Sequence, residues 1–138
     1  MSLNPRIGLL FDGRCEEAFR FYEQCLNGKL EFVLRWGESP TAQDAPAEWR
    51  NKILHAKLIV GDAELLGGDA LPGTYESPRG FSLLISPGDA SEAERLFHAL
   101  ADNGTIQMPL QETFWSPRFG SVTDRFGISW TINYEKSE

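Results

Sequence analysis

The chain has 138 residues, of which 41% are hydrophobic, 24% charged and 12% aromatic, a composition that suits one compact soluble domain and argues against disorder. Thirteen basic against twenty acidic side chains give a net charge of -7 with no basic run to track phosphates, so no nucleic-acid partner is expected. No apolar stretch reaches bilayer length and the opening Met-Ser-Leu-Asn-Pro-Arg has no signal-peptide pattern, so a cytoplasmic protein without a membrane partner is expected.

Arg6 to Phe11 is a short apolar run closed by Asp12-Gly13, which predicts a strand and a turn. Cys15, Ala18, Tyr22 and Cys25 then recur at helical spacing, with Phe19 and Leu26 widening the face, and Asn27-Gly28 supplies a left-handed cap. The two cysteines stand ten residues apart on that helix, about 15 Å by its rise, too far to pair within one chain. They read as buried thiols acting as small hydrophobes.

Lys29 to Trp36 reads as a strand, and 37–51, with Pro40 and Pro46, as a long mobile loop of a length often given to function. Strands are predicted at 53–60 and 63–69 around Gly61-Asp62, followed by a Pro- and Gly-bearing linker over 70–79. The pattern then restarts: a strand over 80–86, a helix capped by Asp89 or Ser91 and ended by Asn103-Gly104, and strands over 105–112, 118–124 and 127–134. Shifting the chain by 76 residues lays Phe21 on Phe97, Asn27 on Asn103 and Gly28 on Gly104. Two βαβββ modules follow, about 5–70 and 79–135 of one domain, and the fold class is α+β: a curved, mixed, mostly antiparallel sheet with helices on its outer face.

The order of these modules, with Phe11-Asp12-Gly13, Glu17-Ala18-Phe19-Arg20-Phe21-Tyr22, Ile53-Leu54-His55-Ala56-Lys57-Leu58, Gly67-Gly68-Asp69, Phe114-Trp115 and Asp124-Arg125-Phe126-Gly127-Ile128-Ser129-Trp130, resembles the PhnB-like branch of the vicinal oxygen chelate superfamily, which holds glyoxalases, bleomycin-resistance proteins and extradiol dioxygenases. That branch often carries a 3-demethylubiquinone 3-methyltransferase-like label. The chain, however, has no Gly-rich strand-to-helix loop of the kind that holds nucleotide-like cofactors in open α/β folds, and no cofactor is expected.

In metal-dependent members the resemblance implies ligands on the first and last strands of the modules. Here those strands offer Ile7 to Leu10, Phe81 to Leu84 and Ser129 to Asn133, without a histidine, thiolate or carboxylate, so no metal site is expected. Of the two histidines, His98 lies off the apolar stripe of its helix and faces solvent. Strand alternation sends His55 and Lys57 to the face that the resemblance makes the lining of a cup, and Asp69, ending the adjacent strand, joins them as a polar group. A histidine bonded within the sheet beside two rim charges is the plainer reading of the same residues. Glu31, Glu64 and Glu112 read as solvated strand carboxylates.

Trp36, Phe114, Trp115 and Trp130 are large apolar groups with polar handles, suited either to a small-molecule pocket or to filling the cup or a subunit interface. Arg35 and Arg118 suit an anionic ligand. The expected function is binding of a small organic molecule, with His55, Lys57, Asp69, Trp36, Phe114, Trp115 and Arg118 as candidate contacts, in a homodimer as the resemblance implies. The alternatives are a metal-dependent lyase, isomerase or dioxygenase using His55 in an atypical site, and an antibiotic-sequestering dimer.

Overall fold

The computed structural model describes residues 3–135, and the chain divides into two compact units between Glu76 and Ser77. In the first unit, β1 (Ile7–Phe11), α1 (Cys15–Cys25), β2 (Lys29–Arg35), β3 (Ile53–Val60) and β4 (Ala63–Asp69) follow one another. Their four strands form one sheet in the order β1-β4-β3-β2, with β1 parallel to β4 and the other pairs antiparallel. The second unit repeats this with β5 (Leu83–Ile85), α2 (Ala90–Ala101), β6 (Thr105–Gln111), β7 (Arg118–Thr123) and β8 (Ser129–Tyr134), in the order β5-β8-β7-β6. The expected α+β class and mixed, mostly antiparallel pairing are both present, as two four-stranded sheets, one in each unit.

Each helix buries its apolar stripe on one face of its own sheet. In α1 the stripe is Cys15, Ala18, Phe19, Tyr22 and Cys25. Phe19 lies so close to Gly67 that a Cβ there would stand 2.6 Å from its Cζ, so the glycine is what admits the ring. Alternation along the strands places Leu9, Phe11, Ala56, Leu58 and Leu65 under the helix, all at most 8% exposed. In the second unit Ala93, Leu96, Phe97 and Leu100 of α2 pack toward β7 and β8, where Val122, Trp130 and Ile132 are buried. Full burial of each such aliphatic or aromatic side chain contributes roughly 1.5–3 kcal/mol, so these stripes supply the main driving force in each unit.

The repeat has a physical cause at the helix ends. Asn27 and Asn103 both adopt left-handed backbone, with φ of 53° and 59°. Asparagine tolerates that conformation, and the following glycine answers a different need. A Cβ on Gly28 would stand 2.8 Å from the carbonyl oxygen of Ile59, and one on Gly104 would stand 2.4 Å from that of Thr123. In both modules, then, the chain leaves its helix by passing directly against the backbone of the third strand or its end.

The helix starts differ. Asp89 caps α2 by accepting a hydrogen bond from the Glu92 amide at 2.7 Å, one of the two caps the sequence offered. No side chain of its own N-cap residue, Arg14, caps α1; the Asp69 carboxylate takes the Cys15 amide instead. Near the other end of the chain, Asp124 Oδ1 accepts from the amides of Phe126 and Ile128 at 2.8 and 3.1 Å, and Oδ2 accepts from the Trp130 indole at 2.8 Å. That carboxylate, 3% exposed, ties the last turn to the last strand and accounts for Asp124–Trp130 as architecture.

Three elements depart from expectation. Segment 37–51 contains single 3₁₀ turns, at Ala42–Asp44 and Ala47–Trp49 after one at Trp36–Glu38, and it buries Ser39 and Ala45. The first strand of the second module is shorter than 80–86, because only Leu83 to Ile85 meet a partner, on β8. The last begins at Ser129 and not at 127, since Phe126 and Gly127 belong to the turn that Asp124 holds.

Cys15 and Cys25 are both buried, at 0% and 6% exposure. Burial first, and then the charges of Asp69 and Glu16, push the Cys15 thiol far above its ordinary range, so it stays protonated and unreactive at neutral pH. An aromatic disulfide reagent at neutral pH is expected to label neither cysteine in the native protein and both in denaturant; fast labelling of native protein would contradict this packing.

Candidate functional site

Taken unit by unit, the seven candidate residues occupy two separate places in the first unit and one place in the second. The first centres on Asp69. Its Oδ1 accepts hydrogen bonds from the amides of Gly13 and Cys15, both at 2.9 Å, and its Oδ2 accepts from the Ile53 amide at 2.9 Å. The indole of Trp36 donates to the Asp69 main-chain carbonyl at 3.1 Å. With Asp69 only 3% exposed, both carboxylate oxygens are committed to the backbone where three segments meet. The same arrangement uses the amides of the β1–α1 turn, the place where an open α/β fold would hold a nucleotide-like cofactor.

Beside this knot runs a groove of about 580 Å³ whose walls include Glu16, Glu17, Arg35 and Lys52. Arg35 grips Glu16 with both terminal nitrogens at 3.0 Å and donates to the Asn51 carbonyl at 2.8 Å. That bidentate grip holds the Glu16 carboxyl below the usual carboxylate range. The guanidinium read as an anion contact is thus already paired with an internal carboxylate.

The second place is the sheet face turned away from α1. Register puts Asp69 on the helix side with Leu65 and Gly67, and His55 and Lys57 on the other side, so the structure does not join Asp69 to them. Their neighbours are residues the sequence did not single out together. The His55 ring lies 5.9 Å from Phe32, which is 45% exposed. Lys57 Nζ stands 4.0 Å from Glu64, and Arg6 donates to the other Glu64 oxygen at 2.6 Å. Glu64 is therefore a bridged carboxylate and not simply a solvated one, its carboxyl lowered mainly by the Arg6 hydrogen bond. A divalent metal does not fit this donor set, because His55 shares its face with a lysine and the carboxylate beside that lysine, Glu64, is held by an arginine. Among the described residues no group of three or more His, Cys, Asp and Glu side chains is placed to hold an ion.

The third place is the connection between β6 and β7. The Thr113 amide donates to the Ser116 carbonyl at 2.8 Å, and the Ser116 amide donates back to Thr113 Oγ1 at 3.1 Å. Ser116, 3% exposed, has its hydroxyl within 2.9 Å of the Arg118 carbonyl and 2.6 Å of the Tyr134 carbonyl. This locked loop displays Phe114 at 97% exposure and Trp115 at 49%. Their rings meet edge to face at 4.6 Å, and Trp115 meets Phe119 the same way at 5.1 Å. A groove of about 370 Å³ opens here, bounded by Glu112, Phe114, Trp115 and Glu135 among others. Arg118 turns to Glu94 at 3.4 Å and to the Pro117 carbonyl at 2.8 Å, and is not part of the groove wall.

Sequence reading found Phe114 and Trp115 but missed Phe119 and Glu135, whose proximity follows from the β6–β7 and β7–β8 pairings. Phe32 was missed for a similar reason. An irregularity between Leu30 and Phe32 shifts the β2–β3 register, so alternation along β2 alone does not say which face Phe32 shares.

Comparison with known proteins agrees with this architecture. The family model of 3-demethylubiquinone-9 3-methyltransferase matches residues 5–133. Protein PA1353 from Pseudomonas aeruginosa is 46% identical, with 99% of this chain and 100% of that one covered and a TM-score of 0.89. The PhnB protein from Bacillus cereus is 25% identical over 96% of this chain and 99% of its own, with a TM-score of 0.82. A glyoxylase/bleomycin resistance protein/dioxygenase domain from Frankia sp. EAN1pec shares the fold alone, at 15% identity, 99% coverage of both chains and a TM-score of 0.69. The chain belongs to the 3-demethylubiquinone-9 3-methyltransferase family, is similar to its PhnB protein, and shares the fold of the glyoxylase/bleomycin resistance protein/dioxygenase domain.

Proposed function

We propose that this PhnB-like protein binds a small organic molecule, and that Phe114, Trp115 and Phe119 form the contact surface. The observation that carries the reading is the presentation of Phe114. A side chain 97% exposed at the tip of a loop locked by the hydrogen bonds of Thr113 and Ser116 adds nothing to a core. With the backbone of the loop held by these bonds, little main-chain freedom is lost when a ligand covers Phe114, and a preorganised loop of this kind favours binding. The adjoining groove of about 370 Å³ lies within the range of small-molecule sites, roughly 300–1,000 Å³.

The face with His55, Lys57, Phe32 and the Arg6–Glu64 pair is the second ligand-facing surface in this reading, with the histidine and lysine orienting polar groups. Trp36, Asp69 and Arg118 support the fold through the bonds they already make. Action in the cytoplasm and assembly as a homodimer are part of the same proposal. What supports the dimer is the edge strand β6, exposed along most of its length, with Ile106 49% and Met108 38% exposed. Among the described residues no helix is long and apolar enough to cross a membrane.

A thermal-shift screen of small aromatic compounds tests the binding reading. Compounds that stabilise the protein are expected to lose most of that effect in Phe114→Ala and Trp115→Ala, while the variants melt within about 1 °C of the parent in the absence of ligand. Hits that stabilise both variants as well as the parent would place binding elsewhere.

A further inference from the structure

We infer that segment 37–51 is a flap: it lifts as one body about its stem and uncovers the turn between β1 and α1, while the rest of the first unit stays folded. The stem is closed where the Trp36 amide donates to the Lys52 carbonyl and the Gly37 amide to the Arg50 carbonyl, both at 2.9 Å, and where Arg35 donates to the Asn51 carbonyl at 2.8 Å. Beyond the stem, the amides of Ala42, Asp44, Ala45 and Trp49 donate to the carbonyls of Ser39, Thr41, Ala42 and Pro46. Among the described residues, no hydrogen bond of 39–49 reaches outside 36–52. A loop with joined ends that keeps its bonds inside itself is built like an Ω-loop. It can lift without breaking a hydrogen bond of the sheet or of α1.

The fastening is Trp49. A Cβ on Gly13 would stand 3.0 Å from its Cη2 and 3.5 Å from its Cζ2, so the indole lies directly on the β1–α1 turn and the glycine is its seat. The ring docks there with its Nε1 buried and without a hydrogen-bond partner among the described residues. A buried donor left unpartnered is destabilising, and lifting the ring returns it to water. The docked state therefore carries a penalty that the lifted state lacks, which places opening of the flap well below unfolding of the unit in free energy. Lys52 links this movement to the groove of about 580 Å³ beside Asp69, whose wall it joins. Its Nζ stands 6.0 Å from the centre of the Trp49 ring and its Cε 3.5 Å from the Gly13 Cβ position, so it packs between flap and turn. When Trp49 lifts, Gly13 and Lys52 both lose a neighbour and the groove widens on that side.

Ala45, 6% exposed within the flap, and Cys15, 0% exposed under α1, let thiol labelling separate the two kinds of opening. In the full chain carrying Ala45→Cys, the introduced thiol is expected to label at least about a hundredfold faster than Cys15, with a rate that stays flat in urea below the unfolding midpoint. Labelling of Cys15 should instead climb steeply with urea. Adding Trp49→Ala is expected to speed the introduced thiol by about tenfold and Cys15 by much less. In the parent protein, exchange of the Trp49 indole proton should likewise be fast and insensitive to urea. The Trp130 indole, bonded to Asp124 at 2.8 Å, is the reference that exchanges only on unfolding. A common urea slope for the introduced thiol and Cys15, or for the two indoles, would overturn the flap, as would an introduced thiol that Trp49→Ala leaves unchanged. The indole comparison uses the unaltered chain and decides the matter if Ala45→Cys does not fold.

Discussion

Replacing Asp69 with alanine is expected to destabilise the protein by at least about 3 kcal/mol, the largest effect of any single polar change in the first unit. The substitution strips the acceptor from the amides of Gly13, Cys15 and Ile53 at once. Each buried donor left without a partner costs roughly 1–3 kcal/mol, against a total stability of about 5–15 kcal/mol for a domain. The site is 3% exposed, which limits how well water can replace the carboxylate. Asp69→Asn keeps one acceptor oxygen and turns an NH₂ group toward the remaining donors, so it is expected to lose a smaller but still large share. Urea unfolding of the two variants checks the order. A loss below about 1 kcal/mol for alanine would mean that the backbone finds other partners.

Gly104→Ala is expected to be the most damaging single-methyl addition in the chain. Its Cβ would meet Thr123 O at 2.4 Å, Asp124 Cα at 3.0 Å and Asp124 C at 3.1 Å, all backbone atoms that have no rotamer to change. Overpacking costs about 1–3 kcal/mol when side chains can move, and here the effect should fall at the top of that range or above. Gly28→Ala meets one backbone oxygen at 2.8 Å and the movable tip of Val60 at 3.0 Å, so its cost should be smaller. Gly88, with nothing within 4 Å of its Cβ position, is the control and should tolerate alanine almost without change. The order Gly104, Gly28, Gly88 in melting temperature is the prediction; equal melting of all three would contradict the close approach of each helix exit to its sheet.

These two positions also show what local sequence carries and what it does not. Asn103-Gly104 and Asn27-Gly28 are legible as helix ends, because chain reversal there is a property of a few consecutive residues. The reason glycine follows asparagine is tertiary, and lies in carbonyls 19 and 31 positions further along the chain, at Thr123 and Ile59. Asp89 announces α2 three residues before the amide it accepts, whereas the cap of α1 comes from Asp69, 54 residues away from Cys15. A carboxylate following two glycines at a strand end carries no local sign of that duty, and its reading as a rim charge of the cup followed from that.

The candidate site divides in the same way. Alternation along β3 places His55 and Lys57 on one face, and the structure puts them there. The company they keep, Phe32 across an irregular register and Glu64 held by Arg6, depends on pairing that no single strand encodes. Phe114 and Trp115 are conspicuous in sequence because two large aromatics stand together next to a proline-bearing turn. Their exposure is legible only in the fold, where Ser116 bonds across to Tyr134 and turns the pair outward.

A crystal structure of the protein with a stabilising aromatic compound tests the central claim most directly. The account predicts ordered ligand density against the rings of Phe114 and Trp115, within reach of Glu112 or Glu135. Density bounded only by the His55–Lys57 face or by the groove at Arg35, with Phe114 bare, would contradict it.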